Sequence, residues 1–385
     1  MNVLSLTGMS LQRFDAVVVG GGPAGATAAR RLSRAGWNVV VLDQAIFPRE
    51  KLCGGWITPE VWKLIETTAE EYGEQHLLQP FYAFRVGRIG RNTSVLVAAE
   101  EPLSFGVLRR EFDYWLLRRS GARLVEGRRV RRIERIGDQW RIEDEFLAPV
   151  LIGAGGYHCP AARRLGALPR GEKKLTTLEL ELRLSPELER RVAVQGKYPE
   201  VYYCADFRGY AWCFRKGPYL NLGLGRTVHT ELHRHLEAFL GGLERKERIP
   251  RGSAASWLPL FRGCAYKLHY VTPRRILGDG VILVGDAAGV AHNISGEGIR
   301  PSIQSATLAA DVLVEASNWK EEELELYRER LWKLLGRPVT GRRFRYMERL
   351  PPACFQTAGR IIFRFPALTR KFFERWFLRP QSRLA

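Results

Sequence analysis

No uninterrupted apolar run reaches the roughly 18 residues that a membrane-crossing helix needs, so a transmembrane span is not expected. The first dozen residues lack the charged start, apolar block and cleavage site of a secretory signal. Six cysteines, at positions 53, 159, 204, 213, 264 and 354, form no Cys-x-x-Cys pair. Zinc and thioredoxin-like sites therefore have no support, and cysteines so placed fit a reducing cytoplasm. Acid is scarce: 41 Asp and Glu face 60 Lys and Arg, for a net charge of +19. Such a surface attracts anions. No nucleic-acid module is recognisable and the basic residues are spread through many segments, which argues against nucleic acid. Acidic lipid headgroups or an acidic protein remain open as partners. With 385 residues, 45% apolar content and 10 Trp, the chain is globular and long enough for two interleaved domains.

What is present begins with Asp15–Gly25, DAVVVGGGPAG, which reads as a strand running into a glycine turn and a helix. Gly20, Gly22 and Gly25 supply a GxGxxG spacing: a tight turn, close backbone approach to a pyrophosphate, and close packing of helix on strand. Ala24–Gly36 has helix-forming composition, so its N-terminal amides would face the phosphates. A second strand, Asn38–Leu42, ends at Asp43, where an acid can hydrogen-bond a ribose diol. These features predict a dinucleotide site.

Further along, Val281–Gly289, VILVGDAAG, is another strand ending in a turn, with Asp286 at its tip. Gly296–Gly298 then open a small-residue helix over Ile299–Val314, whose N-terminal amides suit a second anionic or electron-rich part of the same ligand. Val107–Asp113, VLRREFD, leads an amphipathic helix, and Val150–Gly156, VLIGAGG, reads as a buried strand with a further glycine turn. There is no second complete strand–GxGxxG–helix unit, hence no separate nicotinamide domain.

Over most of residues 12–320 these pieces resemble the flavoprotein family that includes para-hydroxybenzoate hydroxylase and the geranylgeranyl reductases. The resemblance implies FAD. Carried over, Gly20, Gly22, Ala24 and Gly25 would take the pyrophosphate and Asp43 the adenosine ribose. Arg109, in the V-x-R-x-x-F-D element, would also face FAD. Asp286 would lie near the ribityl–pyrophosphate region, and Gly296, Glu297, Gly298 and Ile299 beside the isoalloxazine. The chain departs from the family's GADGxxSxxR segment in LIGAGGYHCPAAR: Gly155 replaces the aspartate, Cys159 the serine, and Arg163 falls one place late. That argues against hydroxylase-like use of NAD(P)H. Asn293 stands where the family often has proline before GEG.

Two elements narrow the chemistry. Phe47–Gly55, FPREKLCGG, places Cys53 and two glycines after the ribose-binding strand. In Gly209–Gly225, GYAWCFRKGPYLNLGLG, alternation puts Tyr210, Trp212 and Phe214 on one face of a strand before a glycine-broken one. That face either packs on its own core or walls a substrate site. Both elements are similar to the CGG segment and Y-x-W-x-F-P motif of geranylgeranyl reductases, with Arg215 in place of the proline. The resemblance implies an isoprenoid channel beside the flavin and Cys53 near the isoalloxazine, either tuning a proton step or packing as a small side chain. Reduced flavin would deliver hydride to one alkene carbon while a proton reaches the other. Alternatives on the same fold are a monooxygenase or a flavin halogenase, for which Lys51 lies near the required loop. A membrane-docked electron-transfer flavoprotein is a third. The electron donor is left open between NAD(P)H and a ferredoxin-like protein.

His229, His233 and His235 invite a metal reading, but only the first two share a helix face, and no metal is expected. Trp319–Leu335 reads as a charged helix carrying Glu325–Arg328 and Glu329–Lys333 pairs. Ala353–Pro380 mixes aromatics and leucines with arginine, the composition either of an interfacial helix or of a helical pair capping the substrate domain. The expected architecture is α/β. A Rossmann-like FAD-binding domain with a mainly parallel sheet is assembled from 12–80, 105–165 and 275–318. An antiparallel-sheet substrate domain draws on 81–104 and 166–274, and a helical region follows over 319–385. The expected enzyme is a cytoplasmic FAD-dependent oxidoreductase, peripheral to the membrane, acting on an apolar isoprenoid or lipid-like substrate.

Overall fold

The computed structural model describes residues 11–168, 174–227, 231–269, 274–292, 295–338, 357, 361 and 363–377. His229, Asn293 and Cys354, and much of the Ala353–Pro380 stretch, lie outside the described residues.

Three short runs rich in β-branched residues, Ala16–Val19, Val39–Leu42 and Val150–Gly153, are buried along their whole length. Valines buried on both faces are what a parallel sheet covered on both sides demands. They form the centre of a six-stranded sheet whose order is Leu277–Gly278, Val281–Leu283, Val150–Gly153, Ala16–Val19, Val39–Leu42 and Arg123–Val125. Only the outermost Leu277–Gly278 pairing is antiparallel. The chain leaves the Ala16–Val19 strand directly into the Pro23–Arg34 helix, with proline in the first turn and Gly22 as N-cap. That helix buries Ala24, Ala26, Ala28 and Ala29, and the missing bulk lets it pack closely on the Ile299–Glu315 helix.

A seven-stranded sheet forms the second layer, in the order Arg262–Tyr266, Leu175–Arg183, Tyr219–Arg226, Gly209–Lys216, Glu200–Tyr203, Ala83–Arg88 and Ser94–Ala98. Its pairings are antiparallel except between Glu200–Tyr203 and Ala83–Arg88. Period-2 alternation divides its two faces. Leu178, Leu180, Leu222 and Leu224 join Leu236, Leu240 and Leu243 of the Leu232–Arg245 helix in one core cluster. The opposite face carries Thr177, Glu179 and Glu181, then Asn221, Gly223 and Gly225, then Tyr210, Trp212 and Phe214 in cross-strand register. The two glycines of the Tyr219–Arg226 strand do not break it; they keep that face low.

A three-stranded sheet of Trp56–Ile57, Ser104–Val107 and Leu78–Phe81 completes the cavity walls. The Glu321–Leu335 helix buries Leu324, Tyr327 and Leu331, and the Tyr327 hydroxyl donates to the Leu283 carbonyl at 2.9 Å, which ties this helix to the parallel sheet. Glu325 pairs with Arg328 there. The Pro366–Phe377 helix seats Phe373 among Phe84, Val86, Val95 and Val97 at the far edge of the larger sheet. Among the described residues no group of His, Cys, Asp and Glu could hold a metal ion. No helix among them is long and apolar enough to cross a membrane.

Candidate active site

A cavity of about 1150 Å³ lies between the parallel sheet and the polar face of the seven-stranded sheet. Of the residues singled out by sequence, Gly20, Gly22, Ala24, Asp43, Cys53, Arg109, Tyr210, Trp212, Phe214, Asp286, Gly296, Glu297, Gly298 and Ile299 all line it. Gly25 does not. A Cβ there would run into the Gly20 carbonyl oxygen, so Gly25 sets the approach of helix to loop. Gly20 has φ +110°, a conformation that side chains disfavour, and the turn needs it.

Asp43 terminates its strand and accepts from the Gly21 N–H at 2.7 Å on one oxygen and the Ala45 N–H at 2.8 Å on the other. The carboxylate thus fastens the glycine loop to the strand end, while each oxygen keeps further acceptor capacity. Arg109 opens the Arg109–Arg118 helix and forms a bidentate pair with buried Asp113 one turn on, at 2.7 and 2.8 Å. Burial opposes the guanidinium charge, but the Asp113 carboxylate outweighs it and pushes Arg109 up. Arg49 is a second partner of Asp113, at 3.1 Å. Cys53 sits on the loop before Trp56, its sulfur accepting from the Gly55 N–H at 3.4 Å and within reach of the Arg109 guanidinium.

Asp286 follows the Val281–Leu283 strand. Burial pushes its carboxyl up, against the opposing charges of Lys51, Arg109 and Arg274. Its side chain has no hydrogen bond among the described residues, so its acceptor and donor capacity is turned to the cavity. Glu297 is held by Arg300 through two bonds at 3.1 and 2.9 Å, just before the Ile299–Glu315 helix. Burial raises its carboxyl too, with Arg300 pulling the other way.

The aromatic strand proves to be a cavity wall with one end anchored in packing. Phe214 is fully buried against Trp56 and Phe81, both at 5.6 Å between ring centroids. Trp212 donates from its indole nitrogen to Asn221 at 2.7 Å, and the Tyr210 hydroxyl donates to the Ser295 carbonyl. Opposite Trp212 stands Gly223, where any Cβ would collide with the indole ring. The Trp212 indole therefore lies over Gly223, and the cavity continues here as a trough lined by Tyr210 and Trp212 together with Thr177 and Glu179. It runs on to Phe84, Leu103, Val201 and Tyr203.

Sequence reasoning missed the polar wall. Glu179 is 4% exposed and accepts from the Asn221 amide at 3.0 Å. Burial pushes its carboxyl up to about 7, with the Asn221 bond and the Lys216 charge opposing. Neighbouring Glu181 pairs with fully buried Lys216, which also donates to the Gly54 and Val107 carbonyls at 2.9 and 3.0 Å. The signal was the alternation T-L-E-L-E-L over 177–182, leucines to one side and polar groups to the other. Arg215, at the family's proline position, points to the other face, bonding Glu189 and the Gly217 carbonyl. Gly155, His158 and Arg163 line the cavity, whereas Cys159 is buried as packing.

Residues 15–113 match the family model described as DAO, FAD dependent oxidoreductase. The geranylgeranyl diphosphate reductase of Rhodobacter capsulatus is 30% identical over 351 residues, covering 84% of this chain and 81% of its own. The digeranylgeranylglycerophospholipid reductase of Methanocaldococcus jannaschii is 26% identical, covering 83% and 82%. Among solved structures, a geranylgeranyl bacteriochlorophyll reductase-like protein from Thermoplasma acidophilum superposes with a TM-score of 0.67 at 20% identity, over 85% of each chain. That likeness shows the fold.

Proposed function

The chain belongs to the geranylgeranyl reductase family of FAD-dependent oxidoreductases, and from that premise we propose that it saturates carbon–carbon double bonds in an isoprenoid chain. The observation that carries this reading is the aromatic wall of Tyr203, Tyr210 and Trp212 lining the same cavity as the GxGxxG loop. An isolated alkene offers no strong polar handle, so its binding must come from apolar burial, at about 25 cal/mol per Å². Tyr210, Trp212, Phe84 and Val201 provide such a surface.

The residues present fit FAD. The cavity exceeds the roughly 300–1,000 Å³ of a drug-sized pocket, leaving room for a dinucleotide and a chain segment together. Gly22 and Ala24, at the start of the Pro23–Arg34 helix, would take the pyrophosphate on bare amides and the helix dipole, with Gly20, its own N–H donated to the Leu42 carbonyl at 2.8 Å, shaping the turn beneath it. Asp43 would accept from the ribose, and the unpartnered Asp286 carboxyl would meet the ribityl side. Gly296–Ile299, beside the trough, would border the isoalloxazine, with Cys53 and Arg109 across from them. When reduced, FAD supplies hydride from N5. The protein's own task is to hold the alkene dry against that edge and to manage the proton.

An isoprenoid substrate lives in lipid. Exposed Phe365, Leu368 and Phe372, interleaved with Arg364, Arg370 and Lys371, give the C-terminal segment over 364–372 the composition of a membrane-facing surface. The central test is anaerobic. Photoreduced holoprotein mixed with a geranylgeranyl lipid should recover the oxidised flavin spectrum and yield a product two hydrogens heavier. Rapid oxygen consumption giving a hydroxylated or halogenated product, with no reaction with the lipid, would overturn the reading in favour of a monooxygenase or halogenase.

A further inference from the structure

We propose that Glu179 is the proton donor that completes alkene reduction, working from the cavity wall beside Trp212. The inference rests on the reductase reading and adds the residue that reading lacks. The Leu175–Arg183 strand places Glu179 in register with Gly223, and Gly223 in register with Trp212. With no side chain at the middle position, the Trp212 indole lies over Gly223 next to Glu179, and both side chains line the cavity. An alkene lying against the indole in this cavity would be beside the carboxyl. The Asn221 amide links the two walls, donating to Glu179 at 3.0 Å while its oxygen accepts from Trp212 at 2.7 Å. That fixes the carboxyl's position and leaves its second oxygen free to carry the proton.

The other candidates in the wall are already committed. The Tyr210 hydroxyl donates to Ser295, and burial pushes the Tyr210 and Tyr266 phenols far up. Glu297 is tied to Arg300. Asp286 lies on the parallel-sheet side of the cavity, after the Val281–Leu283 strand and beside Gly298, where it would meet the ribityl side. The charged and titratable groups around Glu179 come from four elements: Glu181 on its own strand, Lys216, Arg109 and Cys264. The like charge of Glu181 is countered by its pairing with Lys216. Burial keeps the Glu179 carboxyl protonated up to about pH 7, which is where a general acid is useful.

The chemistry balances with two-electron-reduced FAD as the reductant. The carbon–carbon π bond opens; one carbon gains hydride from N5, the other the proton of Glu179, and two C–H bonds form. The flavin is left oxidised and Glu179 is left as a carboxylate, which is reprotonated from solvent once product leaves. Positive charge developing on the more substituted carbon lies against the Trp212 and Tyr210 faces, where a cation is stabilised.

The test compares wild type with Glu179→Gln and Glu179→Asp as reduced holoproteins mixed anaerobically with a geranylgeranyl lipid. Gln keeps the acceptor for Asn221 and removes the acid. Its flavin oxidation should fall by about 10²–10⁴-fold, with bound FAD and lipid affinity unchanged, and Asp should restore part of the rate. The wild-type rate should fall as pH rises through about 7, and the residual Gln rate should be flat. Independently of turnover, infrared difference spectra of wild type against Glu179→Gln should show a carboxyl C=O band that disappears over the same pH range. A Gln variant at the wild-type rate, or no such band, overturns the assignment. If wild type itself fails to react with the lipid while retaining FAD, the reductase reading falls and this assignment with it. If wild type reacts and only Asp286→Asn abolishes the rate, the proton comes from Asp286.

Discussion

At Asp43 two demands meet in one carboxylate. Its oxygens each take a backbone N–H, from Gly21 and Ala45, so the residue shapes the glycine loop before any ligand arrives. Removing it loses two charge-assisted bonds that ordinarily contribute about 1.5–3 kcal/mol each, part of which water restores. Asp43→Ala should therefore weaken FAD by at least about tenfold, read as the flavin-to-protein ratio after gel filtration. Asp43→Asn, which keeps one acceptor, should fall between. An Ala variant with the wild-type ratio would remove the ribose assignment. The acid's presence was legible from strand, spacing and residue type. Its bond to Gly21 was not, because that depends on how tightly the loop folds back over the strand end. Arg109 makes the same point. The motif placed it at the cavity, but its tie to Asp113 is a matter of helix phase, which sets residues four apart on one face.

At the scale of elements, the trough is built by register. The spacing of Tyr210, Trp212 and Phe214 announced a strand with an aromatic face, and that strand is present as Gly209–Lys216. What stood opposite it could not be read along the chain. Trp212 meets Gly223, and Gly223 meets Glu179, through pairings 11 and 44 residues apart in sequence. An antiparallel sheet was legible over 166–274; the use of the polar side of its Leu175–Arg183 strand was not, since an isolated T-L-E-L-E-L strand reads as one with a solvated face. The seat of the Trp212 indole on Gly223 can be tested directly. In Gly223→Val the new side chain must displace the indole into the trough, an overpacking that costs about 1–3 kcal/mol. The variant should fold and hold FAD at the wild-type ratio, yet lose most anaerobic oxidation by lipid. Trp212→Ala should spare FAD as well, while raising the lipid concentration needed for half-maximal rate. Loss of FAD in either would mean that the aromatic strand supports the cofactor side rather than the substrate.

At the scale of the whole molecule, the parallel sheet gathers strands from 16–19, 39–42, 123–125, 150–153 and 277–283, and the larger sheet from 83–98 and 175–266. The chain crosses between the layers repeatedly, so the cavity is sealed by segments distant in sequence. Its apolar end is bordered from outside by the C-terminal segment: Phe373 of the Pro366–Phe377 helix clusters with Phe84, Phe363 ahead of that helix packs on Tyr203, and both Phe84 and Tyr203 line the cavity. Capping and lipid contact, which composition alone left as alternatives, can therefore be tested at different residues of this segment. Phe373 is buried, while Phe365, Leu368 and Phe372 are exposed. Combined Phe365→Ser and Phe372→Ser exchange should leave thermal stability and turnover of detergent-dispersed lipid unchanged. Co-sedimentation with anionic vesicles should drop by at least about tenfold, because apolar insertion and cation attraction act together at an interface. Phe373→Ser should do the opposite, lowering stability and turnover through the cavity wall. Equal vesicle binding by wild type and the double variant, or none by wild type, would reduce the exposed face to ordinary surface. The +19 net charge would then serve attraction of an anionic donor instead.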